Sequence, residues 1–192
     1  GGNLAAAPAL LGNTAIWKPA SSAIYSSYYI MKLYKEAGLP DGVINFLPGS
    51  GSAIGNEVLN HRNLAGIHFT GSTETFRSIW QTVSNNIANY KNYPKLVGET
   101  GGKDFCIAHE SANIDALVTG MIRGAFEYQG QKCSAMSRAY VPKNQWDDIK
   151  EKLLNEVATI KVGPPEDLTN FVNVVIDEKS FDKIASYIDF AN

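Results

Sequence analysis

Short apolar runs alternate along the chain with longer segments in which apolar residues recur every three or four positions. The short runs predict strands and the longer segments predict helices. The predicted strands are residues 14–17, 43–47, 66–70, 105–108, 139–141 and 172–176. The predicted helices are residues 22–37, a segment that ends near residue 59, residues 72–88, 114–128 and 146–160, and a last helix from residue 180. Strands that alternate with helices of this length indicate βαβ units and a parallel sheet, and therefore an α/β fold.

The strand–helix alternation starts again after Lys103, which suggests two domains in this chain of 192 residues. We place the domain boundary at the glycine pair Gly101-Gly102. Glu99 then lies at the end of the first domain and Cys133 lies in the second. Active sites often form between two domains, so this division bears on function as well as on fold.

Composition and charge exclude several classes of protein. Hydrophobic residues make up 44% of the chain and charged residues 19%, so the chain can bury a core. The 17 basic and 19 acidic residues form no basic stripe, which argues against binding to nucleic acid or to an anionic membrane. Proline and glycine interrupt the longest apolar stretch, so the sequence predicts no membrane span.

The cysteines and histidines predict neither a disulfide framework nor a metal site. Cys106 lies in an apolar run and is interpreted as a core residue, whereas Cys133 has only polar or small neighbours. Two cysteines form no disulfide framework, which suits a reducing compartment. His61, His68 and His109 stand apart from both cysteines, so metal-ligand spacing is absent.

Glu99 and Cys133 stand in settings typical of enzyme chemistry. Glu99 lies among glycines in the segment Gly98–Lys103, and Cys133 lies in the segment Gly130–Ser134 next to Lys132, a cation that favours the thiolate. Cysteine is strongly nucleophilic and forms an acyl intermediate that water can cleave, and glutamate is a suitable base for that water. Local sequence alone also allows a surface carboxylate at a strand end and a loop cysteine without a catalytic role.

Two glycine-containing turns follow predicted strands. Gly49-Ser50-Gly51 with Gly55 is similar to the dinucleotide fingerprint, although its third glycine comes one residue late. The Phe-Thr-Gly-Ser segment at residues 69–72 lies at a strand-to-helix junction, where backbone N–H groups and the helix dipole favour a phosphate. A plain tight turn and an ordinary helix N-cap explain the same residues, so both interpretations stay open.

Taken together, these segments resemble the aldehyde dehydrogenase superfamily along essentially the whole chain. The Glu-Thr-Gly-Gly-Lys segment from Glu99 and the Gly-Gln-Lys-Cys-Ser-Ala segment from Gly130 are most similar to its pyrroline-5-carboxylate dehydrogenase branch. The resemblance implies a Rossmann-like parallel-sheet domain that binds NAD over residues 1–101. It also implies part of an α/β catalytic domain, which carries the nucleophilic cysteine, over residues 102–192.

The resemblance also implies a role for each candidate residue. Cys133 would attack the aldehyde carbon, hydride transfer to the nicotinamide would leave a thioester, and Glu99 would activate the water that releases the acid. Ser134 would help to bind the α-carboxylate of the substrate, glutamate γ-semialdehyde, which is oxidised to glutamate in proline catabolism. The residues implied to bind the NAD cofactor are Lys18, Ser21, Gly51, Gly55, Phe69, Gly71 and Ser72.

Two positions depart from the usual pattern of the superfamily. Ser21 stands three positions after Lys18, where an acidic residue is frequent. Phe76 stands where a helix glycine often follows the Phe-Thr-Gly-Ser segment. We expect NAD to be preferred over NADP, because the resemblance puts Lys18 near the ribose and no obvious arginine is available to pair with a 2′-phosphate. Ser21 lacks the charge that would repel that phosphate, so the preference should be modest.

By the resemblance, further parts of the site lie before Gly1 and beyond Asn192, and we interpret the chain as the central piece of a longer enzyme. The alternatives are a catalytically incompetent fragment, a weak nucleotide-binding module, or an enzyme for a different aldehyde. We expect the longer protein to act on a small molecule, to bind neither nucleic acid nor membrane, and to form a homo-oligomer. Its expected location is the cytoplasm of a bacterium or the mitochondrial matrix of a eukaryote.

Overall fold

A computed structural model describes residues 2–192, which form two compact units, one ending at Gly101 and the other running from Gly102 to Asn192. The helices are α1 (Gly2–Leu10), α2 (Ile24–Glu36), α3 (Gly51–Asn60), α4 (Thr73–Asn85), α5 (Ile114–Phe126), α6 (Trp146–Ala158) and α7 (Glu178–Ala191). The strands are β1 (Ala15–Trp17), β2 (Ile44–Phe46), β3 (Gly66–Thr70), β4 (Lys95–Glu99), β5 (Asp104–Ile107) and β6 (Met136–Tyr140). No helix in this range is both long and apolar enough to cross a membrane.

Each strand pairs in parallel with its neighbour in sequence across a helix. β1 pairs with β2 across α2, β3 with β4 across α4, and β5 with β6 across α5. Parallel neighbours need such a crossover, because a short hairpin can join only antiparallel strands. The predicted α/β class with parallel pairing is therefore confirmed, and the described strands are arranged as three separate pairs.

The core of the first unit forms where α1 and α2 cover the β1–β2 pair. Its buried residues are Ala5, Ala15, Trp17, Met31 and Ile44. The indole of Trp17 is only 6% exposed and meets the ring of its register partner Phe46 edge to face, with the ring centroids 5.3 Å apart. This packing holds the carboxyl ends of β1 and β2 side by side.

The core of the second unit lies between α5 and α6. Val118, Met121 and Ile122 share one face of α5, as residues three and four positions apart do in a helix, and they pack around Ile149 of α6. The Ile149 side chain is completely buried. Because α5 lies between β5 and β6 in the chain, this core fixes the β5–β6 pair, and its second strand directly follows the loop containing Cys133.

Two predictions for segments that meet at the turn before Cys133, one helix end and one strand, are wrong for identifiable reasons. The helix predicted for residues 114–128 ends at Phe126, because Tyr128 and Gln129 have φ angles of 55° and 58°, which a right-handed helix cannot accommodate. The strand predicted for residues 172–176 reduces to a single bridge between Val162 and Val172. The Val174 carbonyl and the Ile176 N–H form hydrogen bonds with side chains of the turn before Cys133, and not with a neighbouring strand.

The strand β4, which ends at Glu99, is absent from the predicted strands. Other differences are smaller. α1 has a proline inside it and no apolar periodicity, so the pattern of the sequence does not reveal it. β6 begins at Met136, three residues before the predicted start, because its pairing extends to Asp104 of β5. α7 begins at Glu178, since the carboxylate of Asp177 accepts a hydrogen bond from the backbone of Ser180 and caps the helix.

Candidate active site

Glu99 is the last residue of β4, and its backbone lies against the turn that follows β3. It pairs in register with Thr70, and the backbone N–H of Gly71 donates a hydrogen bond to the Glu99 carbonyl oxygen at 3.1 Å. Carboxyl ends of parallel strands meet at one sheet edge, where α/β proteins commonly bind ligands. The structure therefore brings the candidate base next to the Phe-Thr-Gly-Ser turn.

Ser72, one of the two adjacent residues that the sequence offers as a cap, caps α4. Its hydroxyl accepts a hydrogen bond from the Thr75 backbone at 3.1 Å and lies 2.8 Å from the Thr75 hydroxyl. The ring of Phe69 folds back on Gly71, where a Cβ atom would come within 2.6 Å of it. A side chain at residue 71 would therefore need a different position of this ring.

Lys18 and the first glycine-rich turn lie at the carboxyl ends of β1 and β2. Lys18 directly follows β1 and is half-buried, with its Nζ donating to the Pro19 carbonyl at 2.5 Å. Ser21 is exposed at the start of a 3₁₀ turn. Because β1 and β2 run parallel, Lys18 and the turn before α3 lie at the same edge of the pair.

The turn before α3 combines a capped helix start with an open glycine. Ser50 caps the helix by accepting from the Ala53 backbone at 3.2 Å, and Gly51 is exposed with open space where a Cβ would lie. A Cβ atom on Gly55 would meet only Leu59, at 3.9 Å. In the dinucleotide fingerprint, the third glycine lets the helix pack closely against a strand. The described neighbours of Gly55 leave room for a side chain, so close packing does not explain this glycine.

The residues of the turns before α3 and α4, together with Lys18, can supply hydrogen-bond donors and positive charge of the kind that a dinucleotide phosphate requires. The exposed N-termini of α3 and α4 offer backbone N–H groups and positive dipole ends suited to phosphate, and Lys18 adds a cation at the same edge of the β1–β2 pair as the first of them. The residues that would hold the cofactor are Lys18, Ser21, Gly51, Gly55, Phe69, Gly71 and Ser72.

In the second unit, Cys133 and Ser134 are exposed in the loop that leads into β6. The backbone of Gly102, just before β5, lies directly beneath this loop. A Cβ atom on Gly102 would overlap the carbonyl oxygen of Cys133 and lie 3.0 Å from its carbonyl carbon. The other cysteine, Cys106, is half-buried within β5, so Cys133 is the more accessible of the two.

Three successive residues with positive φ precede Cys133 and form a left-handed turn, Tyr128, Gln129 and Gly130. The side-chain amide of Gln129 donates to the Val174 carbonyl at 2.8 Å, and its buried Oε1 has no hydrogen-bond partner within the described residues. Gln131 accepts from the Ile176 backbone at 2.8 Å. Left-handed conformations of non-glycine residues are strained and persist only where the surroundings hold them, and these two glutamines supply such contacts.

Lys132 forms an ion pair with a carboxylate of the same loop. Its Nζ lies 2.5 Å from Glu127, whose other oxygen is 2.7 Å from Arg123. The hydrogen bond from Lys132, followed by the charges of Lys132 and Arg123, holds the pKa of Glu127 below its usual value. Lys132 therefore stands beside the nucleophile candidate as one member of an ion pair.

The aldehyde dehydrogenase family model matches residues 3–192. The chain belongs to the aldehyde dehydrogenase family. Similar members include the mitochondrial Δ1-pyrroline-5-carboxylate dehydrogenase of Dictyostelium discoideum, 51% identical over 191 residues, and that of Danio rerio, 48% identical over 192 residues. These matches cover 98% and 100% of this chain and 34% of each relative, so the chain spans about a third of their length.

Solved structures give the same family relationship. The Δ-pyrroline-5-carboxylate dehydrogenase of Mycobacterium tuberculosis bound with NAD matches with a TM-score of 0.94 at 50% identity. That match covers 99% of this chain and 36% of the solved chain. The architecture described above is therefore that of part of an aldehyde dehydrogenase.

Three polar residues around the candidate nucleophile were given no role from the sequence: Glu127, Gln129 and Gln131. Their partners are Lys132 and the segment 174–176, up to 45 positions away. The only local signal was the density of polar residues directly after an apolar helix, which does not distinguish a functional loop from a solvated one.

Proposed function

We propose that the protein containing this chain oxidises L-glutamate γ-semialdehyde, the open form of Δ1-pyrroline-5-carboxylate, to glutamate with NAD and water. The observation that carries the proposal is the close similarity to enzymes named for this substrate, at about 50% identity over nearly the whole chain. The exposed Cys133 and the strand-end position of Glu99 support it, since each suits its proposed role.

Cys133 is the proposed nucleophile. Its sulfur, as thiolate, bonds to the aldehyde carbon, and the carbonyl oxygen takes a proton. NAD supplies the acceptor for the hydride that then leaves this carbon, while the oxygen loses its proton again and a Cys133 thioester remains. Exposure of the side chain suits attack on a small aldehyde, because a thiolate buried in an apolar strand is disfavoured.

Glu99 is the proposed base for release of the acid. Its carboxylate takes a proton from water while the water oxygen bonds to the thioester carbon, and the C–S bond breaks to return Cys133 as thiolate. In sum, aldehyde, NAD⁺ and water give the carboxylic acid, NADH and one proton, and a second proton is released when the carboxyl group ionises. Ser134 is the proposed partner of the substrate's α-carboxylate, which distinguishes this substrate from a simple alkyl aldehyde.

The function is tested by Glu99→Gln in the protein that contains this chain. Stopped-flow absorbance should show about one NADH per site in the first turnover, because acylation needs no water. Steady turnover should then fall by roughly 10²–10⁴-fold, the usual contribution of a general base. Glu36→Gln, which removes an exposed carboxylate at the end of α2, serves as the control and should behave like the unmodified protein.

Loss of both phases in Glu99→Gln would contradict the base assignment, since it would tie Glu99 to formation of the thioester. No NADH from glutamate semialdehyde in the unmodified protein, together with turnover of a plain aldehyde, would contradict the substrate. Equal kcat/KM with NADP would contradict the proposed preference for NAD.

We also propose that the whole protein is a homo-oligomer that acts in the mitochondrial matrix in a eukaryote or in the cytoplasm in a bacterium. Support for the compartment comes from the Dictyostelium and Danio relatives, both named as mitochondrial. Sedimentation of the purified protein and fractionation of its source cells would test the two statements separately.

A further inference from the structure

The ring of Phe76, in the first turn of α4, covers Gly98 near the end of β4. The atoms nearest to the position of a Cβ on Gly98 all belong to this ring, and a Cβ there would overlap it. Gly98 directly precedes Glu99. The ring can approach the strand backbone this closely only because residue 98 has no side chain.

Two aromatic neighbours hold the Phe76 ring in place. It stacks on Phe69 with a centroid separation of 5.8 Å and an interplanar angle of 13°, and it meets the edge of Trp80 at 5.8 Å and 89°. Phe69 is also the register partner of Gly98 in the β3–β4 pair. The rings of Phe69, Phe76 and Trp80 therefore join α4 to the β3–β4 pair. Their point of contact with β4 is Gly98, the residue before Glu99.

The same helix also meets Glu99 through its preceding turn. Gly71 donates its backbone N–H to the Glu99 carbonyl, and Ser72 accepts the Phe76 backbone N–H at 3.1 Å in the first turn of α4. Successive strand residues face opposite sides of a sheet, so the ring over Gly98 supports the strand from the side opposite to the Glu99 side chain. The backbone of Glu99 is thus held by the helix at two adjacent points.

We infer that Phe76 is a positioning residue for Glu99, acting through Gly98, and that it ties the base to the helix whose N-terminus lies on the cofactor side. The inference rests on the proposed function and deepens it. Phe76 does not touch the reacting atoms. It determines where the strand end lies and therefore where the carboxylate lies when water attacks the thioester.

The test uses a steric cycle in the protein that contains this chain. Gly98→Ala adds a methyl group that the ring forbids, Phe76→Ala removes the ring, and the double variant does both. Gly120→Ala is the matched control, because that glycine lies in α5 with no atom close to the position of its Cβ. The readouts are the NADH formed per site in the first turnover and the steady-state turnover rate.

We expect Gly98→Ala to retain about one NADH per site in the first turnover and to lose on the order of 10²-fold in steady turnover, the effect of misplacing a catalytic group by about 1 Å. Phe76→Ala, which creates no overlap, should show the same separation of the two phases with a smaller loss of roughly tenfold. The double variant should recover at least about tenfold over Gly98→Ala, because the methyl group then has room. Gly120→Ala should leave both phases unchanged.

Unchanged turnover in Gly98→Ala would overturn the inference. The inference would also be overturned if Phe76→Ala and the double variant each lost first-turnover NADH and steady-state turnover in equal proportion. A purely structural role lowers both readouts together. These outcomes differ from failure of the proposed function, in which the unmodified protein forms no NADH from glutamate semialdehyde.

Discussion

The backbone of Gly102 lies directly against the carbonyl group of Cys133. No Cβ atom fits at residue 102 without overlapping this carbonyl oxygen, and the carboxylate of Asp104 would stand 2.5 Å from the same Cβ. Asp104 begins β5 and pairs with Met136 of β6, so the contact lies at the start of the strand pair. Gly102 therefore determines how closely the loop with the candidate nucleophile approaches β5.

Gly102→Ala should displace this loop. Overpacking of this kind costs about 1–3 kcal/mol, and we expect the free energy of unfolding to fall by that amount. The reaction rate of Cys133 with iodoacetamide, followed by mass spectrometry, should change relative to that of Cys106. Gly120→Ala is the control and should alter neither thiol. An unchanged Cys133 rate in Gly102→Ala would contradict the steric role.

Glu127→Gln should remove the carboxylate partner of Lys132 beside Cys133. At neutral pH the lysine charge would then act on the thiol without its counter-charge, so alkylation of Cys133 should become faster. Asp115→Asn, which removes the carboxylate partner of Lys152, is the control and should leave the thiol rate unchanged. A slower Cys133 reaction in Glu127→Gln would show that the ion pair, and not the free charge, promotes the thiolate.

The same pair predicts a pH dependence of stability. The pKa of Glu127 is lower in the folded protein than its usual value, so its ion pair contributes stability above that usual value and loses it as pH falls through the depressed pKa. The unfolding free-energy difference between the unmodified protein and Glu127→Gln should therefore be constant at neutral pH and vanish in acid. A difference that persists unchanged at the acid end would contradict the assignment.

Gln131→Leu should release the segment 174–176 from the turn before Cys133. The backbone N–H of Ile176 would lose its acceptor, so its amide hydrogen should exchange faster with solvent. A typical hydrogen bond contributes about 0.5–1.5 kcal/mol, which corresponds to roughly two- to tenfold faster exchange. Gln131→Glu keeps an acceptor oxygen and should retain protection. Equal exchange rates in the two variants would mean that the side chain of residue 131 does not hold this segment.

Ser134→Ala should impair use of a substrate that carries an α-carboxylate. A hydrogen bond to a charged group is worth about 1.5–3 kcal/mol, so KM for glutamate semialdehyde should rise by roughly 10- to 150-fold. KM for propanal, which has no carboxylate, should stay nearly unchanged, because no partner is lost. An equal loss on both aldehydes would indicate that Ser134 supports Cys133 instead.

The boundaries that sequence predicted well are those encoded by neighbouring residues. α2 ends at Glu36, and Gly38 adopts a φ of 91° just beyond the helix, as a C-terminal glycine signal predicts. Ser72 caps α4 for an equally local reason, since its hydroxyl binds the backbone three residues further on. In both cases the deciding interaction lies within one helical turn.

The segment 172–176 shows the limit of local reasoning. Its valines and isoleucine have the composition of a strand, but Val174 and Ile176 bind the side chains of Gln129 and Gln131. Strand formation requires a partner strand at the correct distance, and the sequence of the segment carries no information about that partner. Tyr128 and Gln129 likewise take left-handed angles that their residue types do not favour.

By itself, the sequence determined the α/β class with parallel pairing, most of the strands and helices, and the residue types at Glu99 and Cys133, because periodicity and chemical identity are local properties. It revealed neither α1 nor β4. Only the tertiary structure decided that Phe76 covers Gly98 and that Gly102 supports the Cys133 carbonyl. Both contacts depend on a glycine that leaves room for atoms brought from elsewhere in the chain. Such close approaches arise when whole elements pack, so neither residue type nor periodicity encodes them.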